Sequence, residues 1–154
     1  MLSKKTKYGL KALIYLAKKY ESKMPVLISK LAQDEKIPKK FLELILLELK
    51  NAGLLQSKMG KGGGYLLAKP PAQITFGKAV RVLEGPLALT PCVSQTAYEK
   101  CAECLTEELC EIRLVMKNTR DAMAKILDGI SLQESILKTH EACQEISKTM
   151  AFDI

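Results

Sequence analysis

The feature that most constrains the fold is a glycine-rich stretch between two short apolar runs typical of strands. In LLQSKMGKGGGYLLAKPP, residues 54–57 and 65–68 flank the segment KMGKGGG. Glycines supply the positive φ angles that a hairpin tip requires, and they let a backbone approach a ligand closely. Lys58 and Lys61 add positive charge at this tip. The stretch therefore predicts a basic β-hairpin.

A phosphate-binding loop is the alternative use of such glycines. A Walker loop needs a Lys-Ser or Lys-Thr pair directly before a helix, and a dinucleotide-binding loop needs a strand–loop–helix unit. In this chain the glycines lie between two strand-like runs instead. The pattern therefore disfavours a nucleotide-binding enzyme.

The residues before the hairpin carry apolar side chains at helical spacing. This spacing predicts one helix within residues 3–21 and two shorter ones within 26–37 and 38–53. Lys39 and Lys40 lie at the start of the third helix. Two short helices with a tight connection, followed by a basic hairpin, form a winged helix-turn-helix. We therefore expect a mainly α fold with a small β-hairpin wing.

A second helical region follows the hairpin. Residues 74–85 predict a short helix with Thr75 as its N-cap. Residues 111–130 predict a long helix with an apolar seam at Ile112, Val115, Thr119, Ala122 and Ile126. A long helix with a wide apolar face usually packs on a partner, so we interpret it as a C-terminal dimerisation helix. The alternative is that it covers the first domain.

The charge distribution divides the chain into regions. Residues 1–85 hold 17 of the 24 lysines and arginines but only 6 of the 17 acidic residues. Such a basic region indicates an anionic partner, either nucleic acid or a membrane surface, although a solvated lysine-rich surface is also possible. We expect a DNA-binding domain at 1–85, a cysteine-bearing loop at 86–110, the dimerisation helix and a short helix at 111–138, and a loosely held tail at 139–154.

No membrane partner is expected from the sequence. No apolar run approaches the roughly 20 residues that span a bilayer. The N-terminus MLSKKTKYGL lacks the long apolar region and cleavage site of a secretory signal. We therefore expect a cytoplasmic protein.

The most distinctive chemistry lies in the stretch PCVSQTAYEKCAECLTEELCEIR. It contains four of the five cysteines of the chain, namely Cys92, Cys101, Cys104 and Cys110. Because the cytoplasm keeps thiols reduced, clustered cysteines favour a metal over structural disulfides. By ligand count, four thiolates suit an iron–sulfur cluster or tetrahedral zinc. A redox thiol or disulfide switch is the third possibility.

The remaining cysteine and the single histidine do not suggest catalysis. Cys143 lies apart from the others and is interpreted as a small apolar residue. His140 is expected to face solvent. A redox enzyme based on Cys101 and Cys104 would need that pair at a helix N-terminus beside a strand. We therefore predict no enzymatic activity.

Three segments carry a family resemblance. LKNAGLL, GKGGGYLLAKPP and ILDGISL are similar to segments of the Rrf2 family of bacterial regulators, and the resemblance extends from residue 1 to about 138. It implies a winged helix with a long helix that crosses its dimer mate, and a homodimer that binds a palindromic operator in double-stranded DNA. It also implies that the loop before the long helix holds an iron–sulfur cluster.

The sequence departs from the family pattern at both predicted sites. Met59 replaces the usual wing arginine, followed by Gly60 and Lys61. Arg113 stands where cluster-binding members have a histidine ligand, and an arginine cannot bind metal. Tyr8 stands where some members have a carboxylate ligand.

The extra cysteine of the loop suggests how the ligand set is completed. We infer that Cys101 replaces the missing histidine. The predicted ligands are then Cys92, Cys101, Cys104 and Cys110 of one subunit. We expect a [2Fe–2S] cluster rather than [4Fe–4S], with zinc as the alternative.

The resemblance also indicates which residues contact DNA. Six residues of the helix-turn-helix would face the major groove or its phosphates, namely Ser29, Lys30, Pro38, Lys39, Lys40 and Phe41. The DNA backbone or minor groove would contact Lys58, Lys61, Gly62, Gly63 and Gly64. Further phosphate contacts would come from Lys4, Lys5 and Lys7.

The predicted function is a transcriptional repressor that senses iron–sulfur status, redox state or nitric oxide through its cluster. The alternative is a cluster-free winged-helix regulator that is switched by cysteine oxidation, zinc or a protein partner.

Overall fold

The computed structural model describes residues 2–152, with side chains through residue 148. The helices and strands follow one another in the order expected for a winged helix. The elements are α1 (Lys4–Lys18), α2 (Ile28–Glu35), α3 (Lys39–Asn51), β1 (Leu55–Lys58), β2 (Gly64–Leu67), α4 (Phe76–Leu83), α5 (Glu111–Asp128) and α6 (Leu132–Phe152). The predicted fold class is confirmed, including the first four helices and the hairpin.

The helix-turn-helix is formed by α2 and α3. The first of these helices ends because Lys36 adopts a left-handed conformation with φ 54°. The chain then turns inward, and the Ile37 amide donates to the Ala32 carbonyl at 2.9 Å. Ile37 is buried, so its side chain fixes the angle between the helices. Pro38 precedes the first residue of α3, where its missing amide costs nothing.

The wing is an antiparallel hairpin held against the body by a third segment. β1 pairs with β2 from Leu55↔Leu67 to Lys58↔Gly64. Val26 adds a bridge, because its amide and carbonyl each bond Tyr65 at 2.9 Å. A Cβ on Gly64 would lie 2.2 Å from the Val26 carbonyl oxygen. Glycine is therefore required for this close approach.

The core is built almost entirely from aliphatic side chains of the first four helices and the wing. Its largest fully buried members include Leu13, Leu42, Ile45 and Leu46. Leu132 at the start of α6 is also fully buried, so the last helix begins against the first domain. Burial of each such side chain stabilises the fold by about 1.5–3 kcal/mol.

Helix α4 is joined by polar contacts to the helices on either side. At its start, Thr75 accepts a hydrogen bond from the Lys78 amide, which confirms the predicted N-cap. At its end, the Glu84 carboxylate accepts hydrogen bonds from Ser3 and from the buried Thr6 hydroxyl. These bonds hold the pKa of Glu84 below its ordinary value. The end of α4 is thus fastened to the start of α1.

A bidentate ion pair joins α4 to the end of α5. Arg81 donates to the two carboxylate oxygens of Asp128 at 2.6 and 2.9 Å. The pair lowers the pKa of Asp128 and raises that of Arg81. A Cβ on Gly77 would lie 1.9 Å from the nearer oxygen, so glycine leaves room for the ion pair.

Helix α5 lies on the first domain with one face and exposes the other. Met116, Met123 and Leu127 are half-buried, whereas none of its residues is fully buried. Most of the predicted seam is on the other face, where Ile112 is 67%, Val115 56% and Ile126 62% exposed, whereas Thr119 is half-buried. The seam therefore does not cover the first domain.

Helix α6 is longer than expected. The sequence analysis predicted a short helix and a loosely held tail from residue 139, whereas the helix continues to Phe152. Ser131 and Glu134 begin it with a capping box, in which each side chain accepts the other residue's amide. No glycine or proline interrupts residues 131–152. Side chains 137–148 are all exposed, so this part of the helix adds no buried side chain to the core.

No helix among the described residues is long and apolar enough to cross a bilayer.

Candidate nucleic-acid interface and cysteine site

Most lysines predicted to contact DNA are exposed and carry uncompensated charge. They lie at the start of α1, at the start of α3 and on the wing. Within residues 2–148, no ion pair is formed by Lys4, Lys7, Lys39, Lys40, Lys58 or Lys61. Their ammonium groups are therefore available to an anionic partner.

Two of the predicted lysines are already paired with carboxylates. Lys5 lies 3.1 Å from Glu48 of α3, and Lys30 lies 3.3 Å from Asp34 within α2. Asp34 also accepts a hydrogen bond from the Tyr15 hydroxyl at 2.5 Å. This bond raises the pKa of Tyr15 to about 12 and lowers that of Asp34. The Lys5–Glu48 ion pair therefore holds α3 against α1, and the Tyr15–Asp34 hydrogen bond holds α2 against α1.

The uncharged residues predicted to contact DNA have different environments. Ser29 and Pro38 are exposed. The Phe41 ring packs edge-on against Tyr8, with centroids 5.9 Å apart, so it is partly engaged in the core.

The three predicted wing glycines are also unequal. Gly62 is exposed at the tip with φ 83°. The Gly63 amide donates to the Gly60 carbonyl at 2.9 Å, and Gly64 faces Val26. Gly63 and Gly64 therefore set the hairpin geometry, whereas Gly62 leaves the backbone open.

Helix α3 also exposes two of its apolar residues. Leu44 is 65% and Leu47 47% exposed, whereas Leu42, Ile45 and Leu46 are fully buried. The run of apolar residues from 44 to 47 hides this division, since it includes both helix faces. The spacing of three and four residues from Lys40 through Leu44 to Leu47 is the signal that could have revealed it.

The outer two loop cysteines are attached to regular structure. Cys92 belongs to the 3-10 turn Pro91–Val93, and its thiol donates to the Thr90 hydroxyl at 3.5 Å. Val93 is buried, and its carbonyl accepts a hydrogen bond from Arg120 of α5. Cys110 is the N-cap of α5, where its sulfur accepts the Arg113 amide at 3.4 Å.

The inner two cysteines, Cys101 and Cys104, are the first and last residues of one tight turn. The Cys104 amide donates to the Cys101 carbonyl at 3.3 Å. Hydrogen bonds with the thiols of Cys110 and Cys101 raise the pKa of Cys104 to about 12. Neighbouring thiols of this kind resist joint ionisation unless a cation offsets their charge.

All four loop cysteines line one pocket of about 470 Å³. Lys100 and Arg113 also line it, together with Glu99 and Glu103. The buried Nε of Arg113 has no hydrogen-bond partner among the described residues, and the nearest Glu107 oxygen is 3.6 Å away. The pocket thus combines soft sulfur donors with an unsatisfied cationic donor, a set that suits a thiolate-bound iron–sulfur cluster.

The four thiols share the pocket but do not point to a common centre. Within the described residues, no three side chains of His, Cys, Asp or Glu are grouped closely enough to hold a metal ion. Ligation would therefore require the loop to close around the metal. Cys143 and His140 are exposed on α6 and do not line the pocket.

The comparison with known proteins agrees with this architecture. The family model Rrf2, described as an iron-dependent transcriptional regulator, matches residues 2–137. An rrf2-like HTH-type regulator of Rhodobacter capsulatus is 36% identical over 94% of this chain and 97% of its own length.

Two characterised regulators are also similar. CymR of Bacillus subtilis is 35% identical over 86% of this chain and 87% of its own. Its structure, described as that of the global cysteine regulator, superposes with a TM-score of 0.70 and covers 87% of this chain and 94% of that one. IscR of T. potens is 27% identical with a TM-score of 0.72, covering 92% of this chain and 90% of that one.

Transcriptional regulation is not an enzymatic function, so the prediction of a non-enzyme is confirmed by these relatives. The chain belongs to the Rrf2 family of transcriptional regulators.

Proposed function

We propose that the protein is a homodimeric repressor that binds a palindromic operator and whose cysteine loop holds a [2Fe–2S] cluster. The ligands are Cys92, Cys101, Cys104 and Cys110. The observation that carries this proposal is the shared pocket of the four thiols beside the unsatisfied Arg113 Nε. The protein acts in the cytoplasm, where its free cysteines stay reduced.

The pocket supplies more than sulfur ligands. Lys100 and Arg113 place positive charge beside the four sulfurs, which would offset the negative charge of cluster-bound thiolates. The sulfur of Cys110 also accepts the Arg113 amide, so one proposed ligand is at the same time the N-cap of α5. When bound, the cluster supplies a redox-active centre held by these thiolates.

The loop is placed where its rearrangement can reach the DNA-binding side. It begins after Gly85, next to the Glu84 carboxylate that binds the start of α1. It ends at Cys110, the cap of the helix that presents the dimer seam. A change in the loop therefore alters the angle between the two DNA-binding domains of a dimer. Because half-site spacing is a geometric requirement, such a change lowers operator affinity.

The first experiment measures iron and sulfide in protein purified without oxygen, together with visible absorbance. The wild type is expected to be coloured, with two iron atoms and two sulfides per chain as a [2Fe–2S] cluster requires. Cys101→Ser should lose most of the iron, because it removes one of four ligands. Cys143→Ser, which changes the one exposed cysteine outside the loop, should keep it.

Retention of the full cluster by Cys101→Ser would show that Cys101 is not a ligand. A colourless wild type without iron would reject the cluster. DNA binding is measured separately, by fluorescence anisotropy with a duplex selected by the protein from a random library. Failure to select any duplex would reject the regulator itself.

The second candidate is a cluster-free regulator switched by cysteine oxidation, zinc or a protein partner. It is favoured by the absence, among the described residues, of a converged three-ligand group. CymR, a similar protein, is described as a cysteine regulator. However, the raised pKa of Cys104 makes that thiol a weak nucleophile, so oxidation would begin at another cysteine. A colourless sample with one zinc per chain, or with a disulfide found by mass spectrometry, would support this candidate.

A further inference from the structure

Helix α3 presents an apolar strip to solvent that begins beside two exposed lysines. Lys40, Leu44 and Leu47 follow one another at spacings of four and three residues and are all exposed. The opposite face of the helix supplies four fully buried side chains to the core, namely Leu42, Ile45, Leu46 and Leu49. The exposed leucines are therefore not needed to complete the core.

The surroundings of these leucines indicate what covers them. Lys39 and Lys40 precede them on the same helix, and neither forms an ion pair with a described residue. A partner at this face must combine negative charge with small apolar groups. Duplex DNA has both, because its phosphates border a major groove in which the thymine C5 methyl is the apolar group.

A protein partner fits this face less well. Stable protein interfaces bury about 800 Å² on each side and exclude charged groups from their centre. Here the apolar strip is two side chains wide and begins beside two unpaired lysines. The larger apolar surface, the seam on α5, belongs to another element.

We propose that Leu44, with Leu47 one turn further along, contacts thymine methyl groups in the major groove, so that the protein selects thymine at the matching positions of each half-site. This inference rests on the proposed function, in which α3 enters the major groove. Leu44 lies in the second turn of a helix whose N-terminal part approaches the base edges. The lysines bind phosphate without regard to sequence, whereas the leucines distinguish thymine from cytosine.

The size of the effect follows from the group that is buried. Removing one contacted methyl group is expected to weaken binding about fourfold, the equivalent of one buried methylene-sized group. Neither leucine is needed for the core, so alanine at either position should leave the fold intact. The loss should then appear in base discrimination rather than in stability.

The test uses the wild-type protein and a duplex selected from a random library. Each thymine of one half-site is replaced singly by deoxyuridine, which removes only the C5 methyl. For the wild type, one or two positions should show the fourfold loss. Leu44→Ala or Leu47→Ala should bind the thymine duplex more weakly and no longer distinguish thymine from uracil at its position. Leu44→Met should retain the distinction, and Leu137→Ala, an exposed leucine of α6, should behave as wild type.

The inference is overturned if no uracil substitution weakens wild-type binding, or if each alanine variant keeps the uracil penalty at every position where the wild type shows it. A selected half-site without thymine in the contacted region overturns it as well. In each of these cases the protein still binds DNA, so the proposed function survives. Selection of no duplex at all removes both.

Discussion

At the scale of single residues, Glu84 has an influence that its exposed position conceals. Its carboxylate accepts hydrogen bonds from the Ser3 amide and hydroxyl and from the Thr6 hydroxyl. These bonds, that from Thr6 foremost, lower the pKa of Glu84. The Glu84 side chain thus links the start of α1 to the end of α4, just before the cysteine loop.

Replacing the Glu84 carboxylate should make the thermal stability of the protein less dependent on pH in the acidic range. A lowered folded-state pKa stabilises the protein above the unfolded-state pKa, and this stabilisation is lost as the pH falls through the folded value. Glu84→Gln is therefore expected to lower Tm at pH 7, and the difference from wild type should shrink progressively as the pH falls below the ordinary glutamate pKa of about 4.3. Thermal unfolding monitored by circular dichroism between pH 3 and 7 measures this.

The control for this series is Glu141→Gln, which removes an exposed carboxyl that forms no hydrogen bond with the described residues. Its Tm should follow that of wild type at every pH. A constant difference between Glu84→Gln and wild type across the range would contradict the assigned role of the charge.

Glu84 could not have been predicted from the sequence. Its partners are 81 and 78 positions away, and no local signal joins residues at such distance. The capping box of Ser131 and Glu134 is different, because its spacing of three is a recognised start signal for a helix. It begins the short helix that was predicted before residue 139, but it does not indicate where that helix ends.

At the scale of elements, α4 connects the start of α1 with the end of α5. Its ion pair with α5 is bidentate, and the side chains of Arg81 and Asp128 are part-exposed. Part-exposed ion pairs contribute about 0.2–1 kcal/mol, and bidentate geometry favours the upper end of this range. The contact between α4 and α5 therefore depends partly on a group that salt can screen.

Asp128→Asn is expected to lower the free energy of unfolding by up to about 1 kcal/mol, because it removes the charge of one partner. Urea denaturation at low and high salt measures the change, which should be smaller at high salt. Asp121→Asn is a matched control, since among the described residues Asp121 forms an ion pair only with the adjacent Arg120 of the same helix. Equal losses in the two variants would argue against a link between elements.

The elements themselves were largely predictable from local signals. The periodicity of α1 to α4, the glycines of the wing and the Thr75 cap each act within a few residues. The buried and exposed faces of α3 could not be predicted in this way, because four consecutive apolar residues leave the buried side undefined. The cysteine loop has neither periodicity nor regular structure between the 3-10 turns Pro91–Val93 and Glu107–Leu109, so its thiol geometry could not be derived from spacing.

At the scale of the whole molecule, the seam of α5 determines the assembly that we expect. Ile112, Val115 and Ile126 form an apolar face that no described residue covers. Ile126→Glu should place a charge in the dimer interface and shift the protein from dimer to monomer at micromolar concentration. Light scattering after size exclusion measures the mass. Leu89→Glu, at an exposed leucine outside the helix, should remain dimeric, and a dimeric Ile126→Glu would exclude this seam as the interface.

The overall charge distribution predicts strongly salt-dependent DNA binding. Each lysine–phosphate contact contributes about −0.9 to the slope of log affinity against log salt concentration. Lys40→Ala should therefore reduce the slope by about one. Lys148→Ala, an exposed lysine on α6, should leave it unchanged. Anisotropy titrations between 50 and 300 mM salt provide the slopes, and identical slopes for wild type and Lys40→Ala would exclude that phosphate contact.

The attachment of the cysteine loop at its two ends has a consequence for how its length can vary. Buried Val93 and its bond from Arg120 fix one end, and the cap at Cys110 fixes the other. The entropy lost on closing a chain between two fixed points grows only with the logarithm of its length, by about 0.6 kcal/mol for each doubling. Insertions of a few residues between Ser94 and Cys101 should therefore be tolerated. An insertion at either attachment, next to Val93 or at Cys110, would instead move the neighbouring cysteine sulfur away from the contacts that hold it.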